Sequence, residues 1–182
     1  SAQAFNELIE SFENSIRMLD EIKTYTAAFS SQLDLHALAE YAMDRVMGGT
    51  GADAGAVLIE NEGEIVVLHS FGIQDAKETA TDPHVLRAFS KGETITIKYP
   101  AEIIVESTLT RFHPNEVIIE PVKFKNVPLG IILLAKASPF IAENLKQLAI
   151  FTQSLAVALH NALEHEQLQK LAALDPLTGI LN

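Results

Sequence analysis

The side chains able to do chemistry are few and scattered along the chain. Its six histidines include His69, His84 and His113, the last of which directly follows Arg111 and Phe112. A cation and an aromatic ring in one loop can clamp a small anion or a planar ring, although charged loop residues also serve simply as solvated surface. His84 follows the pair Asp82-Pro83. His69 alternates with Ile65, Val67 and Phe71, so strand geometry points it either into a core or into a pocket. His160 and His165 stand five positions apart, which sets them on different sides of a helix and argues against shared metal ligation. No Gly-x-Ser-x-Gly elbow and no Gly-rich phosphate loop organises the Ser, His and Asp side chains, so no catalysis and no catalytic residue is expected here.

Composition narrows the chemistry further. With Cys 0 there is no disulfide framework, thiolate metal site, Cys nucleophile or thioether-attached chromophore. Lys+Arg 13 against Asp+Glu 24 gives a formal net charge of -11 and a pI near 4.9. That is the wrong sign for phosphate backbones or anionic lipid, so neither nucleic acid nor a membrane surface is expected as a partner. No apolar run reaches the ~18 residues of a membrane span, and no cationic segment precedes an apolar one. The 182 residues, 48% of them hydrophobic and 20% charged, fit one soluble domain with long flanking helices and leave no room for two independent cores. The chain opens at Ser1 without Met and stops inside what reads as a motif, so it is expected to be part of a longer protein.

The elements that would position these residues follow from periodicity and punctuation. From Ala2 to Phe29, Phe5, Leu8, Ile9, Phe12, Ile16, Leu19, Ile22, Tyr25 and Phe29 recur every three or four residues without Gly or Pro, predicting one long amphipathic helix. Asp34 is a fitting N-cap for a second helix, with Gly48-Gly49 as its stop. Runs at 54–60 and 64–71 around Asn61-Glu62-Gly63 read as a hairpin. Asp82-Pro83 opens a short helix that ends at Lys91-Gly92. A half-buried strand at 94–99 would carry Ile95, Ile97 and Tyr99 on one face. Residues 100–115 read as a structured loop. Strands at 116–125 and 128–137 flank a turn at Asn126, with Pro121 marking an edge or a bulge. A last helix from Ile141 to Leu174 would extend roughly 50 Å, longer than a domain of this size needs. Together with the N-terminal helix it predicts a homodimer through the terminal helices, with Phe5, Phe12, Leu19, Leu163, Leu168 and Leu171 as the contacting residues.

This order of elements resembles a GAF domain, a sensor fold of cytoplasmic signalling proteins. The resemblance is carried by Ser31-Gln32-Leu33-Asp34-Leu35, by Thr50-Gly51-Ala52-Asp53-Ala54, by Phe71-Gly72, and by Pro121 ahead of Val127-Pro128-Leu129-Gly130-Ile131-Ile132-Leu133. Phe140 and the segment 155–162 complete it. It implies an α+β fold: an antiparallel sheet of five or six strands flanked by helices, with the terminal helices on one face and a pocket under the variable loop on the other. It also implies that His69, Phe71, His84, Tyr99, Arg111, Phe112 and His113 are candidates for lining that pocket. GAF domains bind cyclic nucleotides, haem through His, or bilins through Cys, and many have no known ligand. The missing Cys rules out a covalent bilin, and the Asn-Lys-x-x-x-Phe-x-x-x-Asp-Glu pattern of cyclic-GMP binders is absent. No cofactor is expected in this chain, and a small-molecule ligand of unknown identity stays open.

The segment from Leu174 to Asn182 is similar to the opening of GGDEF domains, the catalytic domains of diguanylate cyclases. Asp175, Leu177, Thr178, Gly179 and Asn182 match the Asp-x-Leu-Thr-Gly-Leu-x-Asn motif, with Ile180 in place of Leu. Pro176 disfavours helix at Asp175 and Gly179 permits a turn, as a boundary requires. The resemblances imply a signalling helix at 1–32, a GAF domain at 33–163, a helical linker at 164–174 and the truncated start of a GGDEF domain at 175–182. The implied role is the sensor and dimerisation part of a bacterial diguanylate cyclase, cytoplasmic, acting on a GGDEF domain in cis. A ligand-free dimeriser or spacer, or the sensor of another signalling protein such as a kinase, remain the alternatives.

Overall fold

The computed structural model describes residues 1–32, 34–106 and 110–174. Helix α1, Ala2–Ser30, is opened by Ser1, whose Oγ accepts from the Ala4 N–H, as an N-cap should. Residues 1–20 are exposed on every side, and the helix joins the body only in its last third, where Phe29 is wholly buried. Helix α2, Leu35–Thr50, is capped by Asp34, whose carboxylate accepts from the Ala37 N–H at 2.8 Å. It runs straight through Gly48-Gly49 and stops at Gly51, φ 67°. The predicted stop is therefore wrong, and packing explains it. A Cβ on Gly49 would come within 2.5 Å of the Phe151 ring, so this glycine lets α2 approach the last helix, while Gly51 adopts the left-handed turn.

The expected hairpin forms from β1, Ala54–Asn61, and β2, Glu64–Phe71. Glu62 and Gly63 both take positive φ, 54° and 89°, the turn geometry that matches strand twist. A 3-10 turn at Ala76–Thr81 leads into α3, Pro83–Lys91. Strand β3 is shorter than predicted, Ile95–Lys98. Tyr99 leaves it at φ 53° and is 74% exposed, so it does not share the face of Ile95 and Ile97. The loop that follows contains a small ribbon, β4, Val105–Glu106, paired with β5, Arg111–Phe112. Strands β6, Glu116–Phe124, and β7, Val127–Lys136, meet at Lys125-Asn126, again with positive φ at both residues. Pro121 lies beyond the end of β3, which pairs only with 116–119, and the register shifts just after it between Val122 and Lys123. A residue without an N–H is tolerated where no ladder partner needs one.

The described sheet has five antiparallel strands in the order β2-β1-β7-β6-β3. Alternation sends Val57, Ile59, Ile118, Ile132 and Leu134 to one face, where α2, the end of α1 and helix α4, Ala142–Ala173, close over them with Phe29, Met43, Leu155 and Leu159. The other face carries Ala54, Ala56, Leu58, Ile119, Ile131 and Leu133, covered by α3 and the segments around it. This is the expected α+β arrangement.

Helices α1 and α4 are joined by a hydrogen bond from Ser154 Oγ to Ile22 O at 3.3 Å and by Tyr25 meeting Phe151 edge-on, 4.7 Å between centroids. Residue numbers rise along one helix as they fall along the other, so the pair is antiparallel. The start of α1 and the end of α4 therefore leave the body on the same side. Among the described residues no helix is long and apolar enough to cross a membrane.

Candidate functional site

The face away from the long helices holds a cavity of about 530 Å³. Its floor is the sheet itself: Ile97 of β3, Ile119 of β6 and Leu133 of β7, the last two paired directly across the strands. One wall is the segment after β2, Ile73 to Asp75, with Glu78, Thr79 and Thr81 of the 3-10 turn and Asp82 to Val85 at the start of α3. Pro100 and Glu102 to Ile104 form the roof.

Local sequence explains why these pieces stay in place. Gly72, at φ 71°, turns the chain out of β2, and its carbonyl accepts from the Glu106 N–H at 2.8 Å. The Gln74 N–H donates to Ile104 O at 3.1 Å, and Ile73 bridges to Val105. Wall and roof are thus stitched together by backbone hydrogen bonds. Asp82 accepts from the His84 and Val85 N–H groups at 2.7 and 3.3 Å, which fixes the start of α3.

Of the seven candidate pocket residues, His84 lines the cavity. Its Nδ1 lies 3.3 Å from the Asp82 carboxylate. His113 supports the roof from behind, with Nδ1 3.1 Å from Ile103 O, a distance at which the ring N–H donates to the carbonyl. Phe112 is half-buried and packs on the same apolar cluster. Arg111 is turned to Glu106, to which its Nε donates at 3.2 Å and with which its guanidinium forms an ion pair. That hydrogen bond first, and the charges of Glu106 and Asp75 with it, raise the Arg111 pKa above its ordinary value. His69 is half-buried on the edge strand β2, whereas Phe71 is 59% exposed and Tyr99 74% exposed. None of His69, Phe71, Tyr99, Arg111, Phe112 and His113 is in the described lining.

Sequence reading missed most of the polar lining: Gln74, Glu78, Thr79 and Asp82 of the wall and Glu102 of the roof. The 3-10 turn that presents Glu78 and Thr79 has no apolar periodicity to announce it. The floor was legible in principle, since Ile119 and Leu133 fall on the inner register of two alternating strands.

A second groove of about 620 Å³ lies between the start of α2, the β1–β2 hairpin and the end of α4, lined among others by Asp34, His36, His165, Glu166 and Gln169. His36 Nδ1 is 3.2 Å from Leu68 O and Gln169 Nε2 is 3.1 Å from His165 Nε2. His160 points elsewhere and stacks on Phe124, 4.0 Å between centroids. Among the described residues no group of three or more His, Cys, Asp or Glu could hold a metal ion.

The dimer candidates divide by position. Phe5, Phe12 and Leu19 on α1 are 63%, 66% and 64% exposed, and Leu168 and Leu171 on α4 are 63% and 61% exposed. Leu163 is half-buried against the core. The motif residues Asp175, Leu177, Thr178, Gly179 and Asn182 lie outside the described residues.

The family model described as GAF domain matches residues 34–159, and the chain belongs to that family. No curated protein matches the chain by sequence. Among solved structures, the chain is similar to the GAF domain of an Acinetobacter phosphoenolpyruvate-protein phosphotransferase, at 13% identity and TM-score 0.60, covering 79% of this chain and 93% of that one. The GAF domain of the corresponding Coxiella burnetii protein is similar at 18% identity and TM-score 0.59, over 88% and 99% of the two chains. That of a putative sensor histidine kinase from Pseudomonas syringae pv. tomato is similar at 15% identity and TM-score 0.57, over 92% and 99%. At these identities the likeness concerns the fold, and the family makes the chain a sensor-type domain of signalling proteins.

Proposed function

We propose that this GAF domain is the small-molecule sensor and dimerisation part of a GGDEF-family diguanylate cyclase, cytoplasmic and bacterial, whose catalytic domain follows in cis and condenses two GTP into cyclic di-GMP. The observation that carries the sensor half is the cavity, whose roof and wall are hydrogen-bonded segments resting on the sheet. A ligand that pulls roof and wall together acts on β6 and β7, whose opposite face carries α4. The diguanylate cyclase half rests on the residues Asp175, Leu177, Thr178, Gly179 and Asn182 that follow α4.

The homodimer is supported by the exposed apolar stripe of α1 and by Leu168 and Leu171 of α4, which extend from the same side of the body. Paired with a second copy, these helices would set two downstream domains face to face. Ligand binding then shifts or rotates the pair, and residues 163–174 carry the motion.

Two experiments test the reading. Native mass spectrometry of gently purified protein reports subunit count and retained mass together. A dimer with extra mass is expected. A clean dimer favours the ligand-free spacer, and a monomer at high concentration overturns the role given to the helices. In the full-length parent, one residue inserted within 163–174 turns the downstream domain by about 100°, while seven nearly restore phase. Cyclase output should fall with the first insertion and recover with the second. Unchanged output in both refutes this route of transmission.

A further inference from the structure

The charged side chains that line the cavity are all carboxylates, set among apolar residues such as Ile73, Val85 and Ile103, and we infer that its ligand is an organic cation, an amine or amidine attached to an apolar body. The inference rests on the sensor reading above and specifies the ligand chemistry of that same site.

Charge is the first observation. Asp75, Glu78, Asp82 and Glu102 line the cavity, and the described lining contains no Lys or Arg. The cation of the loop, Arg111, is paired with Glu106 and also interacts with the charge of Asp75. Asp82 is occupied with the cap of α3. Among the described residues, however, neither Glu78 nor Glu102 takes part in an ion pair, so two exposed carboxylates of the lining carry no paired cation.

The neutral polar groups point the same way. Thr79 Oγ1 donates its proton to Ala76 O at 2.5 Å and Thr81 Oγ1 to Glu78 O at 3.1 Å. Both hydroxyls therefore offer only lone pairs to anything in the cavity. Gln74 Oε1 is shielded from solvent and has no hydrogen-bond partner. An unpaired buried acceptor is costly and is satisfied when a ligand brings a donor. A nucleotide or a carboxylic acid would meet like charge in the lining and find few side-chain donors besides the His84 ring and the Gln74 amide NH2. An ammonium or amidinium group meets the opposite: several acceptors, a negative lining, and below them the apolar floor of Ile97, Ile119 and Leu133 for the rest of the molecule. A volume of about 530 Å³ leaves room for a ring or short chain behind the charged group.

The test uses three molecules of nearly one shape: phenethylammonium, 2-phenylethanol and 3-phenylpropanoate. Each is titrated into the chain by calorimetry, while nuclear magnetic resonance follows Ile119 and Leu133. The cation should bind at least about tenfold more tightly than the alcohol, and the anion should bind most weakly. Added salt should narrow the difference. The double variant Glu78→Gln, Glu102→Gln should abolish the preference, and Glu62→Gln, Glu64→Gln at the tip of the β1–β2 hairpin should preserve it. Preference for the alcohol or the anion, with shifts at Ile119 and Leu133, would leave the sensor reading standing and overturn the cation. Cation binding that the Glu78, Glu102 variant does not weaken would be attraction to the acidic surface as a whole, and would also overturn it. If none of the three perturbs the floor, the inference fails, while the sensor reading is judged separately by the retained mass of the native protein.

Discussion

The two faces of the sheet are built from the same strands and do different work. On the helical face, Phe29, Leu38, Met43, Ile132, Leu134, Leu155 and Leu159 are all buried to 2% exposure or less, and aromatic rings at 4.7 to 5.7 Å tie α1, α2 and α4 together. The opposite face carries Ala54, Ala56 and Ala135 beside Leu58, Val117, Ile119, Ile131 and Leu133, lies under the short helix α3 and connecting segments, and retains a cavity of about 530 Å³. Dense packing stabilises but leaves no room for a guest. The strands of the second face are as buried as those of the first, so the difference lies in the cover: long helices on one side, a short helix and loops that leave a cavity on the other.

The adjacent leucines 133 and 134 break or sharpen this contrast most strongly, since they sit side by side on β7 and face opposite ways. Leu134→Ala should cost about 3–5 kcal/mol, because a tightly packed site collapses poorly around a hole. Leu133→Ala should cost about 2–3 kcal/mol, because the hole it leaves merges with the cavity its side chain already lines. Urea unfolding measures both. Equal losses would mean that the cavity face is packed as firmly as the helical one.

Next in size is a pair of neighbouring glycines in α2. Gly49→Ala should destabilise by about 1–3 kcal/mol, since the new methyl meets Phe151 and forces α2 and α4 apart. Gly48→Ala, with nothing within 4 Å, should stabilise by about 0.5–1 kcal/mol through helix propensity alone. Opposite signs in thermal melts are the expected result, and the same sign would remove Gly49 from the packing of the helical face.

On the cavity face, Asp82→Ala should cost about 1 kcal/mol by uncapping α3. The loss should appear as faster amide exchange at His84 and Val85 and leave α2 and α4 unaffected.

The smallest effect concerns Glu120, half-buried on β6 beside Thr94, whose hydroxyl donates to it. Burial raises its pKa above the ordinary 4.5, against the opposing pull of Thr94 and of Lys123. A carboxyl raised in the folded state favours the fold when protonated. Its contribution is therefore full below the ordinary value and is lost as pH rises through the folded value. Glu120→Gln, which keeps an acceptor for Thr94, should flatten that limb of the stability curve and gain stability near neutrality. A variant and parent that run parallel from pH 4 to 8 would contradict it.

Much of this architecture was legible from short stretches of chain. The hairpin turn at Glu62-Gly63, the Asp34 and Asp82 caps and the alternation along β6 and β7 are decided by interactions within a few residues. The Thr50-to-Ala54 segment shows why its residues stand where they do: Gly51 ends α2, and Asp53 accepts from the Ala137 N–H at 2.7 Å, tying the start of β1 to the end of β7. Tyr99 leaves the expected face because its backbone turns to φ 53°, which alternation does not announce. Its N–H pairs with Asn115 O at 2.7 Å, a contact made across the loop.

The sequence by itself thus determined the elements, their order, the absence of cysteine chemistry and the sign of the surface charge, because all of these are local or additive properties of the chain. Only the tertiary structure decided that Gly49 is a packing residue, that the antiparallel α1–α4 pair sends both free ends out on one side, and that Gln74, Glu78, Glu102, Ile119 and Leu133 surround one space. Those are distances between residues far apart in the chain, set when the two faces of the sheet are covered, and no local pattern encodes them.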